Sequence, residues 1–132
     1  MWKNKISINN MADVFTARMQ ARQLAKEIGF NTVDQARISL ATSELAHLIC
    51  VNNHHDGEIV LSEAAQNGYN GFQVDCLISK PAHQTGTLMS TWSDEGGFQR
   101  SISGACRLVD ENVIDMENEK NQTQITLIKW CK

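Results

Sequence analysis

Between Asn52 and Glu58 the hydrophobic period of the chain changes from helical to strand-like, and this change constrains the fold more than any other feature. Upstream, Val14, Ala17, Ala21, Leu24 and Ile28 recur at spacings of three and four, and Ile38, Ala41, Leu45, Leu48 and Ile49 continue as a broader apolar face. Downstream, Ile59, Val60 and Leu61 lead through Ala65 to the turn residues Asn67-Gly68-Tyr69-Asn70-Gly71, after which Phe72, Val74, Cys76 and Ile78 alternate strictly. Two helices therefore precede a β-hairpin. Each helix has one apolar stripe to hide and the hairpin has one apolar face, so each supplies the cover the other needs.

The punctuation around these segments completes the order of elements. Lys5 to Asn9 alternates around Ile6 and Ile8 as a short first strand, Asp13 is placed to cap the first helix, and Gly29 is a natural C′ residue. Thr32-Val33-Asp34-Gln35 reads as a capping box, which starts the second helix at Val33 and lets it run to about Val51. Ser79 to Phe98, with Gly86, Gly96 and Gly97, is polar and longer than an ordinary connection, a pattern often found in functional lids. Ile102, Ala105, Cys106 and Val109 have helical spacing, and Val113 to Met116 pairs with Thr123 to Cys131 as a closing hairpin around Lys120-Asn121-Gln122. The order β-α-α-β-β-loop-α-β-β predicts one α+β domain over residues 1–132, a two-layer sandwich with three helices covering one face of a mixed five-stranded sheet.

Composition narrows the function classes. A chain of 132 residues, 42% hydrophobic and 20% charged, buries a sufficient core without staples. The formal charge of −3 and the lack of a basic run argue against nucleic-acid binding. No segment has the length of a membrane span, and Met1-Trp2-Lys3-Asn4-Lys5 has no apolar stretch behind its charges, so a cytoplasmic protein is expected. Cys50, Cys76, Cys106 and Cys131 contain no C-x-x-C pair and read as free thiols that behave as small hydrophobes. His54-His55 beside Asp56 lacks a second ligand cluster with recognisable spacing, so no metal is expected there.

One stretch is specific. Gly29-Phe30-Asn31-Thr32-Val33-Asp34-Gln35-Ala36-Arg37-Ile38, followed by Thr42-Ser43-Glu44-Leu45-Ala46, resembles the helix junction of the anti-sigma regulatory factors and switch-protein serine kinases of bacterial stress signalling. The likeness extends upstream through Ala21 to Glu27 and downstream through Gly57, Gly71, Gly96-Gly97, Arg107-Leu108 and Ile128-Lys129-Trp130, almost the whole chain. It implies the GHKL ATPase fold, a helix-over-sheet sandwich with nucleotide held between helices and a lid.

Set against that family's motifs, the nucleotide site is stripped unequally. Glu44 matches the helical base of the first motif, but Leu48 replaces the Asn one turn later that binds magnesium, and an aliphatic side chain gives a hard cation no oxygen. In the second motif Ile78 stands where an Asp accepts from the adenine amino group, and Lys80 and Ala82 replace glycines that let backbone approach the base. In the phosphate loop Gly96 and Gly97 remain, while Gln99 and Ser101 replace glycines next to Arg100.

The expected function is thus a degenerate, non-catalytic regulator that needs neither ATP nor magnesium and binds a protein of the anti-sigma-factor-antagonist class. Arg18, Arg22 and Lys26 on the first helix are the candidate docking residues, since relatives engage partners beside their first helices. An alternative is a divergent, active ATP-dependent protein-serine kinase gripping nucleotide through Glu44, Lys80, Arg100 and Ser101. Another is a paralogue that only dimerises, through the uncovered face of its sheet.

Overall fold

The structure is a computed structural model, and it describes residues 3–51, 57–79, 97–115 and 122–131. The elements are β1 (Lys3–Ser7), α1 (Met11–Ile28), α2 (Thr32–Val51), β2 (Gly57–Gln66), β3 (Tyr69–Ser79), α3 (Gly97–Cys106), β4 (Glu111–Asp115) and β5 (Gln122–Cys131). Their order is the one expected. Both caps, however, lie earlier in the chain. Asn10 Oδ1 accepts from Asp13 N at 3.1 Å while Asp13 Oδ2 accepts from Asn9 N at 2.8 Å, so α1 begins three residues upstream of the expected Asp13 cap. Asn31 Oδ1 likewise accepts from Asp34 N at 2.8 Å, and the Gln35 amide donates to the Phe30 carbonyl at 2.8 Å, so Asn31 takes the role expected of Thr32. Asn places its acceptor on a short side chain as well as Thr or Asp does, and with two candidates close together local sequence does not choose.

The five strands lie in the order β1-β2-β3-β5-β4, and every neighbouring pair is antiparallel. The expected mixed sheet is thereby corrected. Two helices between β1 and β2 carry the chain out and back, so Ser7 at the end of β1 faces Glu58 at the start of β2. Only α3 lies between β3 and β4 among the described helices, and those strands run the same way, but β5 inserts between them and removes the parallel contact.

Alternation sorts the strands into two faces. Ile59 and Leu61 of β2, Phe72, Val74, Cys76 and Ile78 of β3, and Ile125 and Leu127 of β5 are 0–2% exposed and belong to one cluster with the helices. Burying each such large side chain contributes about 1.5–3 kcal/mol. Ala17, Ala21 and Ala25 are fully buried on α1, and these short side chains let it approach α2 closely. The other face carries Val60, Ser62, Gln73, Asp75, Leu77, Gln124 and Thr126. At its centre Asp75, 8% exposed, accepts from Thr126 Oγ1 at 2.6 Å, Gln73 Nε2 at 2.9 Å and Gln124 Nε2 at 3.4 Å. Among the described residues no helix is long and apolar enough to cross a membrane.

Two glycines act at specific points. Asn67 (φ 53°) and Gly68 (φ 83°) form a two-residue turn with positive φ at both positions, the type whose twist suits a hairpin. Gly71 faces Trp130 across β3 and β5, and a Cβ there would lie 2.7 Å from Trp130 Cε3 and 2.9 Å from the Lys129 carbonyl oxygen. Gly71→Ala is expected to cost about 1–3 kcal/mol through overpacking. A urea midpoint equal to wild type would contradict this close approach.

All four cysteines are free. Burial, and secondarily the Asp75 carboxylate, pushes the Cys76 thiol far above its ordinary range, and burial also raises Cys106. Because the thiolate is the reactive form, a raised value slows alkylation. At pH 8, Cys76 is expected to resist iodoacetamide in the native protein and to label fully in denaturant, as read by peptide mass spectrometry.

Candidate functional site

The two expected site residues on helix α2, Glu44 and Leu48, are one turn apart and differ in burial. Glu44, part-exposed, lines a cleft of about 420 Å³ with Ser43, His47 and the α1 residues Met11, Val14, Phe15 and Arg18. Leu48, one turn later, is 1% exposed and belongs to the core. Ile78 is fully buried in the same cluster, carried on β3 two residues beyond Cys76, whose thiol lies 3.9 Å from the Leu45 carbonyl oxygen. The carboxylate at 44 and the aliphatic groups at 48 and 78 therefore do not share the α1–α2 cleft.

The rest of the expected nucleotide site is only partly described. Lys80, Ala82 and Gly96 lie outside the described residues, as do His54, His55 and Asp56. Gly97, Gln99, Arg100 and Ser101 form the first half of α3, and their side chains also fall outside the description. Gly97 thus stands at a helix start, where free backbone N–H groups occur. Ile102 and Ala105 turn α3 toward the core, against α2. Among the described residues no group of three or more His, Cys, Asp and Glu side chains is placed to hold a metal ion.

The expected docking residues come together on one flank. Arg18 lines the first cleft, and Arg22 and Lys26 line a second, of about 440 Å³, with Met19, Gln23, Thr32 and Gln35. They face the groove between α1 and α2. That flank also carries Met11, Phe15 and Met19, which are 54–56% exposed, and Leu40 of α2 is exposed as well. The Arg18 guanidinium sits 5.2 Å from the Phe15 ring centroid, within cation–π range. The α1–α2 contact beneath is fixed partly by Ser39 Oγ donating to the Arg18 carbonyl at 3.3 Å.

Charge alone pointed to Arg18, Arg22 and Lys26, and Met11, Phe15 and Met19 were missed. Their signal is present in the sequence as apolar residues four apart, out of phase with the buried stripe at Val14, Ala17 and Ala21. Together the six side chains make an amphipathic groove: apolar thioethers and a ring for contact area, and cations for orientation.

No family model matches the chain. It is similar to the serine/threonine-protein kinase RsbT of Bacillus subtilis (strain 168), with 34% identity over 122 residues, 91% of this chain and 90% of the relative. Identity of that degree, sustained over nine tenths of both proteins, means that the chain belongs to the family of RsbT, the anti-sigma regulatory switch kinases.

Proposed function

We propose that this protein is a cytoplasmic partner-switching regulator of the GHKL fold that binds a protein of the anti-sigma-factor-antagonist class without phosphorylating it. The observation that carries the proposal is Leu48. Where the family pattern has a magnesium-binding Asn, this chain has an aliphatic side chain 1% exposed in the core. Magnesium-assisted phosphoryl transfer depends on oxygen ligands that bridge the ion to the phosphates, and Leu48 offers none. Ile78, fully buried, adds the loss of the adenine acceptor.

The α1–α2 groove supports a docking role. Phe15, Met11 and Met19 supply exposed apolar surface, and Arg18, Arg22 and Lys26 favour an acidic partner face. A divergent kinase remains the second reading, because the relative RsbT is a serine/threonine-protein kinase and Glu44 stands part-exposed at the matching position. The dimerising alternative draws no comparable support, since the sheet face it requires centres on the hydrogen-bonded Asp75.

Titration calorimetry separates the two main readings. Magnesium-ATP at millimolar concentration is expected to give no binding heat, and saturable binding together with label transfer from ATP to a candidate partner would establish the kinase instead. For docking, Phe15→Asp and Arg22→Glu, both at exposed positions, are expected to weaken binding of a purified antagonist-class domain roughly tenfold or more. Their urea midpoints should match wild type, and unchanged affinity in both variants would remove the groove from the interface.

A further inference from the structure

Of the five methionines, Met11 and Met19 lie within the described residues, and both stand on the outer surface of α1, 56% and 55% exposed. A flexible thioether ordinarily fills gaps in a core, so packing does not account for two of them in solvent on one helix. They sit one turn to either side of Phe15 and make one apolar row with it. Each lines a different cleft of the α1–α2 groove: Met11 shares one with Arg18, Glu44 and His47, and Met19 shares the other with Arg22 and Lys26. The helix is seated from its buried side by Val14, Ala17, Ala21 and Ala25, which are 0–6% exposed. A chemical change at positions 11 and 19 therefore alters the groove and leaves the core packing of α1 intact.

The chemistry open to an exposed thioether is oxygen transfer. Its sulfur lone pair attacks the distal oxygen of a hydroperoxide and the O–O bond breaks. The proton of that oxygen passes to the departing alkoxide or hydroxide, which leaves as an alcohol or as water. Sulfur is oxidised by two electrons to the sulfoxide, and the peroxide is reduced by two. No proton has to leave sulfur first, so the reaction runs at neutral pH. The thiols differ, because the thiolate is their reactive form and burial raises both Cys76 and Cys106 above their ordinary range. The product carries a polar S–O group in place of apolar contact area on both sides of Phe15. It also sets an acceptor in the cleft of Arg18 and in that of Arg22, where it competes with a partner's carboxylates for the guanidinium donors.

We infer that Met11 and Met19 are paired sites of reversible oxidation by hydroperoxides, and that their sulfoxides close the α1–α2 groove to an acidic protein partner. The switching half of this inference rests on the docking role proposed above, and the modification half does not. Reduction by the two methionine sulfoxide reductases, one for each sulfoxide epimer, reopens the groove without refolding the chain.

The test treats the full chain with tert-butyl hydroperoxide and follows each sulfur by peptide mass spectrometry. Met11 and Met19 are expected to gain one oxygen at rates within about threefold of those in denaturant, while Cys76 stays protected. Rates slower in the native chain by about tenfold or more would remove them as oxidation sites. Calorimetric titration with a purified antagonist-class domain should then show affinity falling about fivefold or more on oxidation, with an unchanged urea midpoint. Affinity should return after incubation with methionine sulfoxide reductases A and B and a dithiol, and not with the dithiol alone. Met11→Leu/Met19→Leu, which has no thioether at the groove, should bind equally before and after hydroperoxide. A fall in that variant matching wild type would place the sensitivity elsewhere and overturn the inference. Equal binding by the oxidised and unoxidised wild-type chain would overturn the switch and leave docking standing. No binding by the unoxidised chain would overturn the docking role and the switch with it, and the oxidation rates would still decide the modification sites.

Discussion

Helix α2 is packed on three sides, and the rest of the molecule is arranged around that fact. It meets α1 along one flank, α3 along another, and β2 and β3 beneath. Ile38, Ala41, Thr42, Leu45, Ala46, Leu48 and Ile49 are all 0–1% exposed, and the Thr42 hydroxyl is satisfied within the helix by the Ile38 carbonyl at 2.8 Å. A helix so enclosed has little room for an unpaired polar group, since burial without a partner costs about 1–3 kcal/mol. Leu48 is what such surroundings favour. With an aliphatic residue at position 48, this turn of α2 is part of the core.

Much of this was legible in the sequence because it is written in periodicity. The spacing of Val14, Ala17 and Ala21 and the alternation of Phe72, Val74, Cys76 and Ile78 each identify a buried face, and those residues are indeed buried. What the pattern does not carry is which strand lies beside which. The insertion of β5 between β3 and β4 makes the sheet wholly antiparallel and depends on contacts between residues about fifty apart, such as Cys76 with Ile125. Local reading also misplaced both helix starts, because Asn10 and Asp13, and again Asn31 and Thr32, are chemically equivalent choices for a cap.

For the candidate site the balance differs. Glu44, Leu48 and Ile78 can be interpreted from side-chain chemistry alone, and their placement gives that chemistry a geometry. The α1–α2 groove was half legible: charges at Arg18, Arg22 and Lys26 mark it, but the exposure of Met11, Phe15 and Met19 is set by where α2 stops covering α1. Trp130 was less legible still. Its close packing rests on Gly71, some sixty residues earlier, and no local pattern links the two.

The Asn67-Gly68 turn also bears on how the sheet is assembled. β2 and β3 pair over ten positions with only two residues between them, whereas β1 reaches β2 across two helices and β5 reaches β3 from far along the chain. The entropy lost on closing a loop grows with its length, so the β2–β3 ribbon is the least costly pairing to establish. Because these two strands lie inside the sheet, its other strands can add on both sides of a ribbon already formed. The order of events in folding would then run from the middle of the sheet outward, with the two edge strands, β1 and β4, free to join last.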